Sequence, residues 1–462
     1  MFDISNHPPT EDLQAIDAAH HMHPFTDGNA LQKKGVRVIK SAKGVFLTDS
    51  EGEEMLDAMA GLWCVNIGYG RPELAEAAAR QMRELPYYNT FFQTTHVPAL
   101  TLAQRMGELA PGDLNHVFFA NGGSDANDTN IRLARHYWSA LGKPSKKIII
   151  SRHNAYHGSS MGSASLGGMK PMHKQGGLPI ADIVHIGQPD WWSEGGELSP
   201  DEFGRARAAE LRAAIERHGE ANVAAFIAEP IQGAGGVIVP PQSYWPELKS
   251  ICDEHEILLI ADEVICGFGR TGNWFGSETV NIQPDIMTVA KGLSSGYIPI
   301  GGSIVSDQVA SVVAAGGEFN HGYTYSGHPV SSAVALENLR IIEEEGLVNQ
   351  VRDVTGPYLE KKWQALKEHP LVGEASICGM MGSIVLTPHK ESRAKFPGEG
   401  GKVGVMCREH CYANKLVMRA VGDRMIISPP LIITEQEIDL LIERTITALD
   451  ATHHQLKIEG MI

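Results

Sequence analysis

The chain has 462 residues and a mass of 50.1 kDa, enough for roughly two to four domains and a full hydrophobic core. Hydrophobic residues make up 43% and charged residues 20%, which excludes a disordered chain. No apolar run nears the ~18 residues of a membrane span, and a net charge of −16 leaves no basic footprint for nucleic acid.

In chain order, the opening run MFDISNHPPT lacks the basic-then-apolar pattern of a secretory leader. The run His20-His21-Met22-His23 carries three imidazoles; we read it as a loop beside Phe25 and expect no metal there. Residues 36–49 read as strands with turns at Gly35 and Gly44. Residues 1–85 do not form a clean alternating unit and are grouped with the C-terminal part.

From about 115 to 306 short apolar runs alternate with amphipathic stretches. The runs 116–120, 147–151, 223–228, 257–262, 285–290 and 301–305 are continuous and rich in Ile, Val and Phe, as strands buried on both faces require. Between them one helix is expected from Ser124, with Ile131, Ala134, Trp138 and Leu141 on one stripe. Others carry Leu211 with Ile215, and Leu248 with Ile251. This is an α/β pattern with a mostly parallel sheet.

After about 330 the texture changes. Long helical patterns at 330–345 and 347–369 precede strand-like runs at 371–376, 382–386, 416–419 and 425–428. A last helix is expected over 435–449, capped by Thr434. The expected organisation is a large domain over 86–329 and a smaller α+β domain built from 1–85 and 330–462.

Six scattered cysteines with no C-x-x-C pair fit a reducing cytoplasm. Cys407 and Cys411, one turn apart around His410, read as a buried helix face rather than a metal site. Gly158-Ser159-Ser160-Met161-Gly162 matches the pattern of a hydrolase nucleophile elbow, but it stands several residues past its strand, not at a strand-to-helix turn.

The chemistry lies in what ends each strand, because ligands of open α/β sheets sit at the strands' carboxyl ends. Run 116–120 leads into Asn121-Gly122-Gly123-Ser124, small residues at a helix start that leave backbone N–H groups free for a phosphate; Ser124 is the expected N-cap. Run 147–151 leads to Tyr156, a flat face for a ring. Run 223–228 ends in Glu229 and run 257–261 in Asp262, a carboxylate that burial makes costly unless paired. Run 285–290 ends in Lys291, whose amine becomes nucleophilic when desolvated. An anion cup, an aromatic, an acid and a lysine are the inventory that pyridoxal phosphate requires.

These residues carry a resemblance. Ile260-Ala261-Asp262-Glu263-Val264, then Gly267-Phe268-Gly269-Arg270-Thr271-Gly272, then Ala290-Lys291-Gly292, resemble the class III aminotransferases, in the ω-amino acid or amine:pyruvate group. Asp262 and Lys291 stand 29 residues apart, which suits that family. The resemblance runs from His23-Pro24-Phe25 to Arg419 and implies fold type I of the pyridoxal-phosphate-dependent transferases. It implies that Lys291 holds the cofactor and shuttles the proton, Asp262 pairs with the pyridine nitrogen, and Tyr156 and Val264 cover the ring's two faces. Gly123 and Ser124 would grip the phosphate, Glu229 would support hydrogen bonds beside the ring, and Thr324 would reach the phosphate of a neighbouring subunit. Arg419 would bind the substrate carboxylate, while Trp63, Phe25 and Phe91 or Phe92 would line the amine pocket. Where relatives read Ser-Gly-Ser-Glu-Ala, this chain reads Gly122-Gly123-Ser124-Asp125-Ala126. Ala234 stands where relatives that use 2-oxoglutarate often have a glutamate, which favours pyruvate as acceptor. The implied enzyme is a cytoplasmic transaminase moving an amino group from an ω-amino acid or primary amine (taurine, β-alanine, putrescine or an aryl-alkyl amine) to pyruvate. The implied assembly is a homodimer with its active site at the interface, or a tetramer. An aminomutase or decarboxylating transaminase of the same family is the alternative.

Overall fold

The computed structural model describes residues 8–398 and 400–462; the first seven residues, most of the run read for a leader, lie outside it. Among the described residues no helix is long and apolar enough to cross a membrane.

Three sheets organise the chain. The first contains β1 (Ile39–Lys43), β2 (Phe46–Asp49) and β3 (Glu54–Asp57), with the β1–β2 turn at Gly44 in the left-handed region, φ 60°. Its fourth strand comes from the far end of the chain: Leu416–Val417 pairs in parallel with Leu56 and Asp57. The central sheet holds β4 (Leu114–Ala120), β5 (Ile148–Arg152), β6 (Ile183–Ile186), β7 (Val223–Ala228), β8 (Leu258–Asp262), β9 (Ile286–Val289) and β10 (Gly301–Ser306). Their order is β4-β10-β9-β8-β7-β5-β6, with only β10 antiparallel to its neighbours. Every residue of β7 and β8 is buried, which is why both read as unbroken apolar runs. The third sheet joins β11 (Val372–Cys378), β12 (Met381–Leu386), β14 (Arg419–Val421) and β15 (Arg424–Ile427), the pair Leu416–Val417 being β13.

The expected strands and helices are present, with informative differences. β6 was not anticipated: it lies at the sheet edge, half-buried, and His185 interrupts its apolar run. The run 416–419 is two strands rather than one, because the chain changes sheets at the buried Met418. The helix expected from Ser124 begins at Gly123 with Gly122 in the cap position, and it ends at Ala140, so Leu141 is off the helix and 44% exposed. The pattern at 347–369 is broken into turns of different pitch, widening over Val351–Thr355 just before Gly356-Pro357. Pro357 has no N–H to donate, so a regular ladder cannot run through it. The last helix is longer than expected, Glu435–Ile458, and Thr434 and Glu437 cap each other's backbone N–H at its start. Cys407 and Cys411 are buried on the helix Lys402–Ala413, and His410 turns away to Gln455.

One buried ion pair ties the third sheet to the central one. Arg424 at the start of β15 donates to both carboxylate oxygens of Asp190, 2.6 Å each, just beyond β6. Removing one partner of a buried pair leaves the other charge uncompensated. Asp190→Ala is therefore expected to destabilise the protein by about 3 kcal/mol, read as a lower urea midpoint; an unchanged midpoint would show that the pair contributes nothing.

Candidate active site

Strands β4, β5, β7, β8 and β9 deliver their following residues to one cavity of about 270 Å³. Gly123, Ser124, Tyr156, Glu229, Asp262, Val264 and Lys291 all line it.

Asp262, the last residue of β8, is 3% exposed and fully engaged. Its Oδ2 accepts from Asn127 Nδ2 at 2.8 Å and from His157 Nδ1 at 2.7 Å, and its Oδ1 accepts from the Val264 N–H at 3.1 Å. A second tier holds the first. Thr288 Oγ1 donates to Asn127 Oδ1 at 2.8 Å, Asn130 Nδ2 donates to Thr288 Oγ1 at 2.7 Å, and Ser303 Oγ donates to Asn130 Oδ1 at 2.6 Å. All these groups are buried, so each bond is made in a low dielectric where a missing partner is costly. Sequence reasoning missed Asn127 and His157 as partners of Asp262. A signal was available for Asn127: it lies one helical turn beyond Gly123, on the face that the cup presents.

Lys291 follows β9 with φ 45°, in the left-handed region that bulky residues rarely adopt. That turn sends its side chain into the cavity, with Nζ 5.4 Å from the centre of the Trp63 ring. Burial lowers the lysine pKa, partly opposed by Cys64, Asp262 and Glu229. Trp63 is itself 2% exposed. Its turn is shaped by Asp57, whose carboxylate accepts from the Met59 and Gly61 N–H groups and from Tyr69 Oη. The Arg419 guanidinium lies on the same indole at 5.1 Å. Among the described residues no carboxylate pairs with Arg419, and burial lowers its pKa. Ala234 packs in the same apolar cluster as Trp63 and Tyr156.

Glu229 does something more specific than its position suggested. Its Oε1 accepts from the Tyr156 N–H at 3.2 Å and its Oε2 from the Gly233 N–H at 2.8 Å, so it fixes the loop that aims Tyr156. Burial pushes its pKa up.

At the other end of the cavity, the helix Gly123–Ala140 begins without a side-chain cap. Ser124, expected as the N-cap, lies inside the first turn instead, and its Oγ accepts from the Ser159 N–H at 3.1 Å. Its neighbour β10 presses close here: a Cβ on Gly301 would sit 2.8 Å from the Gly122 backbone.

Trp63, Ala234 and Arg419 do not line this cavity themselves, and four further expected site residues also lie outside it. Phe25 is 74% exposed, its ring edge-on to Tyr156 at 6.3 Å. Phe92 is 90% exposed. Phe91 lines a separate groove with Phe118, Phe119 and His321. Thr324 is exposed, and its carbonyl accepts from Tyr87 Oη at 2.6 Å.

With this geometry in place, comparison with known proteins is decisive. The family model for aminotransferase class-III matches residues 29–449. The chain belongs to the class-III aminotransferases. A putrescine–pyruvate aminotransferase of Pseudomonas aeruginosa is 57% identical over 443 residues, 96% of this chain and 97% of that protein. The ω-transaminase of Pseudomonas jessenii, solved in complex with PMP, superposes with a TM-score of 0.94 at 40% identity, covering 96% and 99% of the two chains. An (S)-enantioselective ω-transaminase from Thermomicrobium roseum gives 0.92 at 42% identity, covering 96% and 98%.

The family's cofactor is pyridoxal phosphate, and the residues present fit it. The first-turn N–H groups of Gly123–Ala140 carry no side-chain cap and suit a phosphate. Cβ atoms at Gly123 and Gly301 would fill the space beside them, meeting Val264 and Gly122. The half-buried Lys291 and a fully bonded carboxylate line the same cavity. Gly301→Ala is expected to push β10 off the cup at a cost of about 1–3 kcal/mol, roughly ten- to a hundredfold in cofactor affinity. A cofactor absorbance titration checks this; wild-type affinity would mean that the close approach is not needed.

Proposed function

We propose that this class-III aminotransferase takes an amino group from a primary amine or ω-amino acid and gives it to pyruvate, releasing alanine and an aldehyde or ketone. The observation that carries the reading is the pair of cations on one indole: Lys291 and Arg419 both lie against Trp63. An arginine without an acidic partner, beside the reactive amine, suits a small keto acid. Ala234 nearby supplies no carboxylate to hold Arg419 aside. The 57% identity to a putrescine–pyruvate aminotransferase supports the same acceptor and makes a diamine the first donor to test.

Pyridoxal phosphate, when bound, supplies an aldehyde carbon and an electron sink. The rest follows from the chain's own residues. Lys291 would hold the cofactor through Nζ, and its burial keeps that amine available as a base. Lys291 Nζ would hold and return the proton of the substrate carbon. Asp262 would face the pyridine nitrogen, held in place by donors from Asn127, His157 and Val264. Tyr156 and Val264 would bracket the ring, while Gly123 and Ser124 would face the phosphate. Arg419 would receive the pyruvate carboxylate in a bidentate fork. Two half-reactions on one site give ping-pong kinetics.

The reading includes a homodimer, in which Thr324 reaches a neighbour's site and Phe25, Phe91 or Phe92 border a pocket that one chain leaves open. In support, Thr324 is exposed, as are the large apolar side chains of Tyr88, Phe92, Val97, Leu100 and Tyr325. Pairing of Leu416–Val417 with β3 supports a small domain made from both chain ends.

A panel of amine donors with pyruvate, reading alanine, tests the function. Alanine should form with the wild type and not with Lys291→Ala; a variant with the wild-type rate, or carbon dioxide release with no need for pyruvate, would overturn the reading. Arg419→Ala should raise the KM for pyruvate by about 2 kcal/mol, roughly thirtyfold, and leave that for an uncharged-tail amine nearly unchanged. Equal effects on both would remove Arg419 from carboxylate binding.

A further inference from the structure

The geometry points to a second site, away from the catalytic lysine: a divalent transition-metal site made by Asp17, His21 and His23. The local fold builds it in two steps. Asp17 and His21 are one turn apart at the end of the helix Thr10–His20, so they share a face. His21 closes that helix in an extended conformation, φ −115° and ψ 125°. Two residues along an extended chain return the side chain to the same side. His23 therefore faces Asp17 as well, and Met22 points out, 95% exposed.

The outcome is a compact trio. Asp17 Oδ1 lies 3.2 Å from His21 Nδ1 and 2.7 Å from His23 Nε2, and the two rings are 4.1 Å apart. All candidate ligand atoms lie within 4.8 Å of one another. Ligands about 2.0–2.1 Å from a tetrahedral zinc ion stand roughly 3.3–3.4 Å from each other. From 3.2 Å the Asp17–His21 pair would open by about 0.1–0.2 Å and from 2.7 Å the Asp17–His23 pair by about 0.6–0.7 Å. Among the described residues no other group of three His, Cys, Asp or Glu side chains comes this close.

Two further features fit an ion rather than a plain hydrogen-bonded turn. A cavity of about 740 Å³ adjoins the trio, lined also by Gln14, His20 and Thr26, with room for water at the remaining coordination position. Asp17 and His23 are largely shielded, at 15% and 21% side-chain exposure, while His21 at 61% leaves an approach. Two imidazoles and one carboxylate favour zinc, cobalt or nickel over magnesium or calcium. The histidine run was read from sequence as a loop without metal; the missing partner was Asp17, which only the helix turn brings into range. The site also has a consequence for the catalytic cavity. Pro24 and Phe25 follow His23 directly, and Phe25 stands against Tyr156, so a bound ion would pin the segment that carries Phe25.

The test uses tag-free holoenzyme, treated with a chelator and desalted, then titrated calorimetrically with zinc chloride. Cobalt(II) absorbance in the visible is the second readout. Wild type should take up one tight equivalent per chain and develop a cobalt spectrum of imidazole and carboxylate ligation. Asp17→Asn and His21→Gln should each weaken zinc binding by at least about tenfold. His20→Gln, which leaves the trio intact, should bind like wild type. Zinc uptake by Asp17→Asn and His21→Gln equal to that of wild type would overturn the site. So would an equal loss in His20→Gln.

Discussion

Lys291 and Asp262 end neighbouring parallel strands and are both withdrawn from water, so each has to be held by groups that the rest of the fold delivers. A buried carboxylate without partners would take up a proton. Asp262 has three donors, and one of them, Asn127, is itself locked through Thr288 to Asn130 and Ser303. That chain crosses from the helix Gly123–Ala140 through β9 to β10. The helix whose uncapped N-terminus suits a phosphate is therefore also the helix that supplies a donor to Asp262. Moving either would move both.

The same economy appears around Trp63. Asp57 at the end of β3 bends the chain, the bend presents the indole, and the indole receives one cation from β9 and one from β14. β3 pairs with β13, and β13 leads through Met418 to Arg419. The change of sheet at Met418 thus places Arg419 against that indole. Strands from both chain ends bring Trp63 and Arg419 to Lys291 at the tip of the central sheet.

Much of this was legible in sequence because the central strands are buried on both faces and so write unbroken apolar runs. Their ends, Glu229, Asp262 and Lys291, stood out as charges placed after such runs. What escaped lay where that signal fails. β6 is a half-buried edge strand. Met418 is apolar whichever sheet it serves, so the split of 416–419 left no trace. Asn127, Thr288, Asn130 and Ser303 are polar residues without a pattern of their own, and only tertiary contact reveals that they form one chain. At Gly301 the cup and β10 approach more closely than a side chain allows. Phe25, Phe92 and Thr324 project from the surface of one chain, which no single-chain periodicity can interpret.

In the proposed reaction one lysine, Lys291, serves two half-reactions, with an amine entering one and pyruvate the other. The direct measurement is a single-turnover titration of holoenzyme, followed by cofactor absorbance and alanine analysis. Adding a diamine without keto acid should convert the cofactor band stoichiometrically and then stop. Adding pyruvate should restore the band and release one alanine per converted site. Restoration without pyruvate, or conversion that pyruvate does not reverse, would contradict the account.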